Sequence, residues 1–508
     1  MRPLRSLLSL ALATVLLALP ASATWSIIIV DTKTGEIAVG CATCLDGFNL
    51  EVFVPVIVPG VGAACAQSSI DQSGANRVRM WNLLHEGADP QLILQRLQAH
   101  DNQHQTRQYG IADFTHFPAS FSGTQCGQAY WSIAGESGDL RYAIQGNVLA
   151  GVMVLYDAEE AVLTTPGDLS QKLVAAMEAA RADGGDGRCS CNVNQPTSCG
   201  CPPPSFSFSA YTGFMIVARM GDAENTCNGL DGCATGDYWM NLNAISWAQG
   251  PEPVLFLEAR YAQWRAQMQG VADALQSRVS PSAQSMPADG TTRTLVDVEL
   301  RDLDGGPVTL PATLTVEVDP SSPDVVAGPV QSLGNARFRF PLGAGTQAGT
   351  AKLRLTAHHQ SRQMLLWPPV EIAVEPLSVF QCGIQQLSAS QGAAVPLVVN
   401  FGAAQAGRSY LMLASASGTQ PGTTFGGVSV PLNEDGVFWA SVGGANGPRF
   451  VHTLGLLSAS GRAQGTYVAP PLSLVPSIGQ HYDFATIRLA DSTGAGFASS
   501  ADGFLVVP

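Results

Sequence analysis

The chain has 508 residues and a mass of 53.1 kDa, more than one ordinary domain and a fit to about three. With 46% hydrophobic and 13% charged residues, it has the apolar supply for packed cores, which excludes wholesale disorder. A formal net charge of −14 argues against a general binder of nucleic acid or anionic membrane, because both need clustered positive charge.

The chain opens with Arg2 and Arg5, an apolar run from Leu7 to Leu19 and the small-x-small triplet Ala21-Ser22-Ala23. These are the three parts of an export leader, with cleavage expected between Ala23 and Thr24. The apolar run is too short to span a bilayer comfortably, and no longer one follows, so the mature chain is expected to lack a membrane span and to be secreted: extracellular, periplasmic or at the cell surface. Thr24 to Asp31 (TWSIIIVD) then reads as a buried strand, and Glu36 to Cys41 as its hairpin partner. Val52 to Val58 and Val61 to Ala66 read as strands. Gly74 to Glu86 reads as a helix, and a second helix starts with Asp89 as cap and Pro90 at its first position. Strands are expected near Gly110–Asp113, Tyr130–Ala134, Leu140–Gln145 and Phe206–Ala218. Helices are expected over Leu169–Ala182 and Val254–Gln276. At Ser280 the character changes to short alternating strands separated by Gly and Pro, as in β-sandwiches. The expected division is leader 1–23, a first domain 24–279, an Ig-like β-sandwich 280–376 and a β-rich module 377–508.

Ten of the 11 Cys precede residue 234. The Cys41-x-x-Cys44, Cys189-x-Cys191 and Cys199-x-Cys201 spacings fit a zinc or redox site, and also fit disulfides. The export leader favours disulfides, with Cys189, Cys191, Cys199, Cys201, Cys227 and Cys233 as candidates. An odd total leaves at least one thiol outside the intrachain pairs.

Five patterns occur in order: TWSI at Thr24, PGVGAACAQ from Pro59, RQYGIAD from Arg107, YAIQGNVLAG from Tyr142 and ADGGDGR from Ala182. Together they resemble an uncharacterised family, domain of unknown function 1028, with an N-terminal-nucleophile (Ntn) hydrolase-like start. The resemblance covers approximately Thr24 to Gln276. It implies an α+β fold, the four-layer αββα sandwich, here followed by two all-β sandwich modules. Some relatives carry a peptidoglycan-binding module, so cell-wall fragments join peptides and acyl-amides as implied substrates. Two features depart from the family: Cys41-Ala42-Thr43 replaces a small, Ser-ending segment, and a Cys- and Pro-rich insertion follows Arg188 to Pro204. The stretch from about Asp289 resembles bacterial Ig-like surface modules, which implies a surface polymer or protein as a further partner.

The chemistry centres on Thr24. A terminal Thr can use its own α-amine, with a pKa near 7.7–8.0, as the base that activates its hydroxyl. Export would unmask such a nucleophile without self-processing. Thr24 is equally a residue tolerated after a cleavage site. Asn147 is the oxyanion candidate, or a turn residue, and Thr43 is the orienting candidate, or an ordinary strand residue. Gln67, Arg107 and Arg188 are candidates for substrate contact, with Asp113, Asp183 and Asp186 as partners for structural ion pairs instead. No cofactor is implied. His100 and His104 lack an evident third metal ligand, and the oxygen-rich loop from Asp222 to Asp237 lacks EF-hand spacing. The reading is an exported amidohydrolase; the alternative is a non-catalytic binding or adhesion protein on the same scaffold.

Overall fold

Eight residues, seven of them fully buried, make Thr24–Asp31 (β1) the strand around which the first domain is built. Its β-branched run suits a strand covered on both faces. In the computed structural model, which describes residues 24–245, 249–288, 290, 292–345, 347–359, 362–375, 380–402, 405–490 and 496–508, β1 folds back through a turn at Gly35 (φ 73°) onto Glu36–Thr43 (β2). The leader, Asp289 and the boundary at 376–377 lie outside the described residues.

The elements that follow are Leu50–Phe53 (α1), Pro55–Val58 (β3), Gly62–Ser68 (β4), Ala75–His85 (α2), Pro90–His100 (α3), Arg107–Asp113 (β5), Ala119–Ser122 (β6), Trp131–Ser137 (β7) and Leu140–Asn147 (β8). Then come Met153–Thr164 (α4), Leu169–Ala182 (α5), Gly187–Ser190 (α6), Thr212–Ala218 (β9), Met240–Ile245 (β10) and Pro253–Gln267 (α7). One antiparallel sheet has the order β10-β9-β2-β1-β8-β7, and the other has β3-β4-β5-β6.

Alternation along β1 separates two cores. Trp25, Ile27 and Ile29 pack with Leu155 of α4, Leu173 and Met177 of α5, and Leu257 of α7. Ile28 and Val30 face the other way, against Ala63 and Cys65 of β4 and Ala112 of β5. A third cluster joins the outer face of the second sheet to Met80, Leu84, Ile93 and Leu97 of α2 and α3. The result is a four-layer αββα sandwich. Each buried isoleucine of β1 contributes roughly 1.5–3 kcal/mol.

Helix starts follow their caps. Asp89 accepts from the Gln91 N–H with Pro90 at the first position, and Asp168 and Gln171 form a capping box at α5. Three expectations differ from the structure. Val52 and Phe53 belong to a helical turn before β3, α7 ends at Gln267, and Phe206–Tyr211 precede the strand at Thr212.

The chain divides into two compact units. The first runs through Ser277 and takes in Leu300–Ala312 and Thr356–Pro368. The second holds Arg278–Glu299, Thr313–Leu355 and Pro369–Pro508. The division therefore does not fall wholly at Ser280: two later segments group with the αββα domain. The second unit is mostly β. Its C-terminal module pairs a four-stranded sheet, containing Ala393–Asn400 and Arg462–Ala469, with a six-stranded one containing Ser409–Ser415 and His481–Arg488. Val395, Leu397, Tyr467, Phe484 and Phe504 fill the space between them. One short helix, Gly436–Gly443, interrupts the β pattern there.

Candidate functional site

The alternation that sends Ile28 and Val30 between the sheets sends Thr24 and Ser26 there too. Register brings Asn147 opposite Thr24 and Gln145 opposite Ser26 on β8, and Thr212 of β9 opposite Thr43 of β2. The second sheet adds Gln67 and Ser68 from β4 and Gln108 from β5. Every one of these side chains is at most 1% exposed, and none is charged. Such groups are costly to bury unless hydrogen-bonded, so the bonds they make define the site.

The Thr24 nitrogen donates to Asn147 Oδ1 at 3.2 Å, and the Thr24 hydroxyl donates to Thr43 Oγ1 at 3.3 Å. The Asn147 amide donates in turn to Ser68 Oγ (3.2 Å) and to the Cys126 carbonyl (3.0 Å). Gln67 Nε2 donates to the Thr24 carbonyl at 2.9 Å and to Gln108 Oε1 at 3.1 Å. Gln145 Nε2 donates to Ser26 Oγ. Gly110 makes room for this contact, since a Cβ there would run into the Gln145 amide. Three oxygens at the cluster, Gln67 Oε1, Gln145 Oε1 and Thr212 Oγ1, have no hydrogen-bond partner among the described residues. Ser68 (φ 71°), Ala129 (φ 48°) and Val148 (φ 53°) all hold left-handed backbone beside it, a strain of about 1–3 kcal/mol each that characteristically gathers at functional sites.

Structure thus brings Thr24, Thr43, Gln67 and Asn147 together. Asn147 faces the Thr24 nitrogen with its carbonyl, while its NH₂ is engaged elsewhere, an orienting geometry. Thr43 meets the hydroxyl of Thr24. The two arginines go to ion pairs. Arg107 donates to Asp101 at 2.9 Å and Arg188 to Asp186 at 2.8 Å. Asp101 was not among the expected partners; Asp113 instead bonds His116. Ser68 and Gln108 escaped sequence reasoning, although both lie in or beside the motifs PGVGAACAQ and RQYGIAD.

The glycine motif ADGGDGR ties the strand ends around Thr24. Gly185 leaves space for the Trp25 ring, and the Gly185 carbonyl accepts from the Ala150 N–H at 3.0 Å. Asp186, fully buried, accepts from the Cys44 N–H at 2.8 Å, and the Asp186 N–H donates to the Ser209 carbonyl at 3.0 Å. Asp183 lies next to Asp157; burial and that neighbour push its carboxyl up to about 7.

Disulfides join Cys44 to Cys189, Cys191 to Cys199 and Cys227 to Cys233. One expectation is corrected. Cys201 is a free thiol, set against the Asp183 carbonyl at 3.4 Å. The CxxC spacing is not a single bridge or site: Cys41 points into the inter-sheet core as a free thiol, while Cys44, past the end of β2, bonds to Cys189. Burial raises the Cys41 and Cys126 thiols and pushes Cys65 up to about 12, so these thiols stay protonated and poor nucleophiles. Among the described residues no group of three or more His, Cys, Asp or Glu could hold a metal ion, and no helix is long and apolar enough to cross a membrane. The disulfides are compatible with an oxidising, secreted or surface setting.

An αββα domain with a polar cluster at the head of its central strand, followed by β-sandwich modules, is the class of protein this describes. Residues 24–193 match the model of a family of unknown function, DUF1028. A solved protein of that family from Silicibacter pomeroyi is 19% identical, with a TM-score of 0.35, over 48% of this chain and 89% of its own. The Escherichia coli adhesin FdeC is 8% identical with a TM-score of 0.20, over 79% of this chain and 92% of its own. Invasin, a bacterial integrin-binding protein, is 9% identical with a TM-score of 0.20, over 95% of this chain and 79% of its own. No curated protein matches.

Proposed function

We propose that the chain is an exported amidohydrolase whose nucleophile is Thr24, acting on an amide bond of a peptide, acyl-amide or cell-wall fragment. The observation that carries this reading is the pair of contacts at one residue: the Thr24 nitrogen on Asn147 Oδ1 at 3.2 Å and the Thr24 hydroxyl on Thr43 Oγ1 at 3.3 Å. Cleavage before Thr24 turns that nitrogen into an amine. Its neutral form takes the hydroxyl proton as the oxygen attacks the amide carbonyl, and the resulting ammonium returns a proton to the leaving amine. Water then hydrolyses the ester on Thr24. Asn147 orients the amine and Thr43 the hydroxyl. For Asn147 to serve the oxyanion as well, its NH₂ would leave Ser68 and Cys126. The absence of a histidine from the cluster and the protonated state of the nearby thiols favour the terminal amine as base and the threonine oxygen as nucleophile.

The test is covalent. Mature protein, its N-terminus fixed at Thr24 by intact mass, is treated with a β-lactone and mapped by peptide mass. Label on Thr24, lost in Thr24→Ala, supports the hydrolase. A correctly processed, folded protein that several hydroxyl-directed electrophiles leave unlabelled is the binding protein of the alternative reading.

A further inference from the structure

We propose that closure of the Cys44–Cys189 disulfide licenses the Thr24 site, so that leader removal and oxidation are two separate conditions for its reactivity. This inference rests on the reading of Thr24 as nucleophile. Thr43, the residue that meets the Thr24 hydroxyl, is the last residue of β2, and Cys44 follows it directly. Past that point the backbone is anchored by two groups. The Cys44 N–H donates to Asp186 Oδ2 at 2.8 Å, and the Cys44 sulfur is bonded to Cys189, three residues beyond Asp186. The Tyr211 N–H holds the Thr43 carbonyl from the other side at 2.7 Å.

Asp186 is itself clamped. Arg188 donates to both of its carboxylate oxygens, at 3.1 and 2.8 Å, and Asp186 has no exposed surface. The disulfide therefore ties the end of the strand carrying Thr43 to a rigid ion pair. Without it, the chain past Thr43 keeps only non-covalent ties, the Cys44 N–H bond to Asp186 Oδ2 and the Tyr211 bond to the Thr43 carbonyl at the end of the β2–β9 pairing. Displacing Thr43 by about an ångström removes its hydroxyl from reach of Thr24, a misplacement that costs catalytic groups on the order of a hundredfold.

The chemistry balances as thiol–disulfide exchange. The Cys44 and Cys189 thiols give up two protons and two electrons to a disulfide oxidant, which departs as two thiols. A reducing cytosol lacks that oxidant and an oxidising compartment supplies it, so the uncleaved precursor is silent by two independent means.

The experiment uses the full mature chain beginning at Thr24. β-Lactone labelling rates at Thr24 are compared for the wild type and for the double variant Cys44→Ala/Cys189→Ala, which keeps the other two bridges. The expected result is a fall of at least about tenfold in the variant, with unchanged circular dichroism. A folded variant that labels at the wild-type rate overturns the gating and leaves the hydrolase reading standing. A wild type that never labels overturns both. Should the variant not fold, wild-type protein is poised in glutathione buffers and the open bridge identified by mass. Loss of labelling that tracks Cys44–Cys189 supports the proposal; loss that tracks another bridge, or none, overturns it.

Discussion

The proposed mechanism places base and nucleophile in one residue, Thr24, and this fixes how its reactivity should depend on pH. The amine must be neutral to accept the hydroxyl proton, so the labelling rate should rise with pH through about 7.7–8.0, the range of an α-amine, and not through the histidine range near 6.5. A rate profile from pH 5 to 9 checks this. Thr24→Ser keeps the hydroxyl and loses the methyl that restricts its rotamer, so it should retain part of the rate, whereas Thr24→Ala, with no hydroxyl to acylate, should take no label at that position. A second residue titrates for structural reasons. Asp183 has its carboxyl pushed up to about 7, by burial first and then by Asp157. A folded-state value above the unfolded one near 3.9 means that its stabilising contribution is complete at low pH and is lost as pH rises through about 7. Asp183→Asn, which is neutral throughout, should flatten the fall in Tm between pH 5 and pH 8. An equal fall in both proteins would show that the raised Asp183 carboxyl contributes nothing.

At the scale of the elements, the motif glycines are spacers for particular side chains. Gly110 on β5 faces the Gln145 amide, which bonds Ser26 two residues from Thr24. Gly110→Ala should therefore cost roughly 1–3 kcal/mol, read as a lower denaturant midpoint, and should slow Thr24 labelling by displacing Gln145. Much of the fold was legible because its signals are local. The β-branched run of β1 and the Asp89-Pro90 start of α3 announce themselves in sequence. So does Leu169–Ala182, whose apolar residues recur at helical spacing. Met153–Thr164 was missed: it has no capping side chain to mark its start, although Val154, Leu155, Ala158 and Val162 recur at helical spacing. The meeting of Thr24 with Thr43 and Asn147 was half legible, since a hairpin places the first two together but only the β1–β8 pairing brings in Asn147. The partner of Cys44 lies 145 residues away, which no local spacing encodes, whereas that of Arg107 is Asp101, only six residues back across the turn into β5.

Across the whole molecule, the first unit draws on residues beyond the linker-like Ser280. Leu303 belongs to the same apolar cluster as Trp25 and Leu257. The Asp273 N–H donates to the Arg301 carbonyl at 2.7 Å, the Gly270 N–H to Asp302 Oδ2 at 2.9 Å, and the Trp367 N–H to the Ala274 carbonyl at 3.2 Å. A fragment of residues 24–280 should consequently melt several degrees below one of residues 24–376, as differential scanning calorimetry would show. Equal melting temperatures would return the boundary to Ser280. The Cys44–Cys189 bridge acts at this scale as well: it spans a sequence separation of 145, and a loop that long restricts the unfolded chain by roughly 5 kcal/mol in the chain-entropy model.

If Thr24 is the proposed nucleophile, the alternation of β1 has a consequence for how the protein must be made. Neighbouring residues of a strand point to opposite faces, so Thr24 looks between the sheets and Trp25 into the helical layer. A leader cut one residue late would present an indole to the wrong side of the sheet. One cut early, or a start methionine retained by a recombinant host, would leave Thr24 as an ordinary amide without its base. Under the proposed mechanism the fidelity of leader processing is thus as much a determinant of reactivity as any side chain. Protein produced with an affinity tag ahead of Thr24 should be folded, disulfide-bonded and inert to the β-lactone until a protease that leaves no scar exposes Thr24. Full labelling of the tagged form would mean that the amine is not the base.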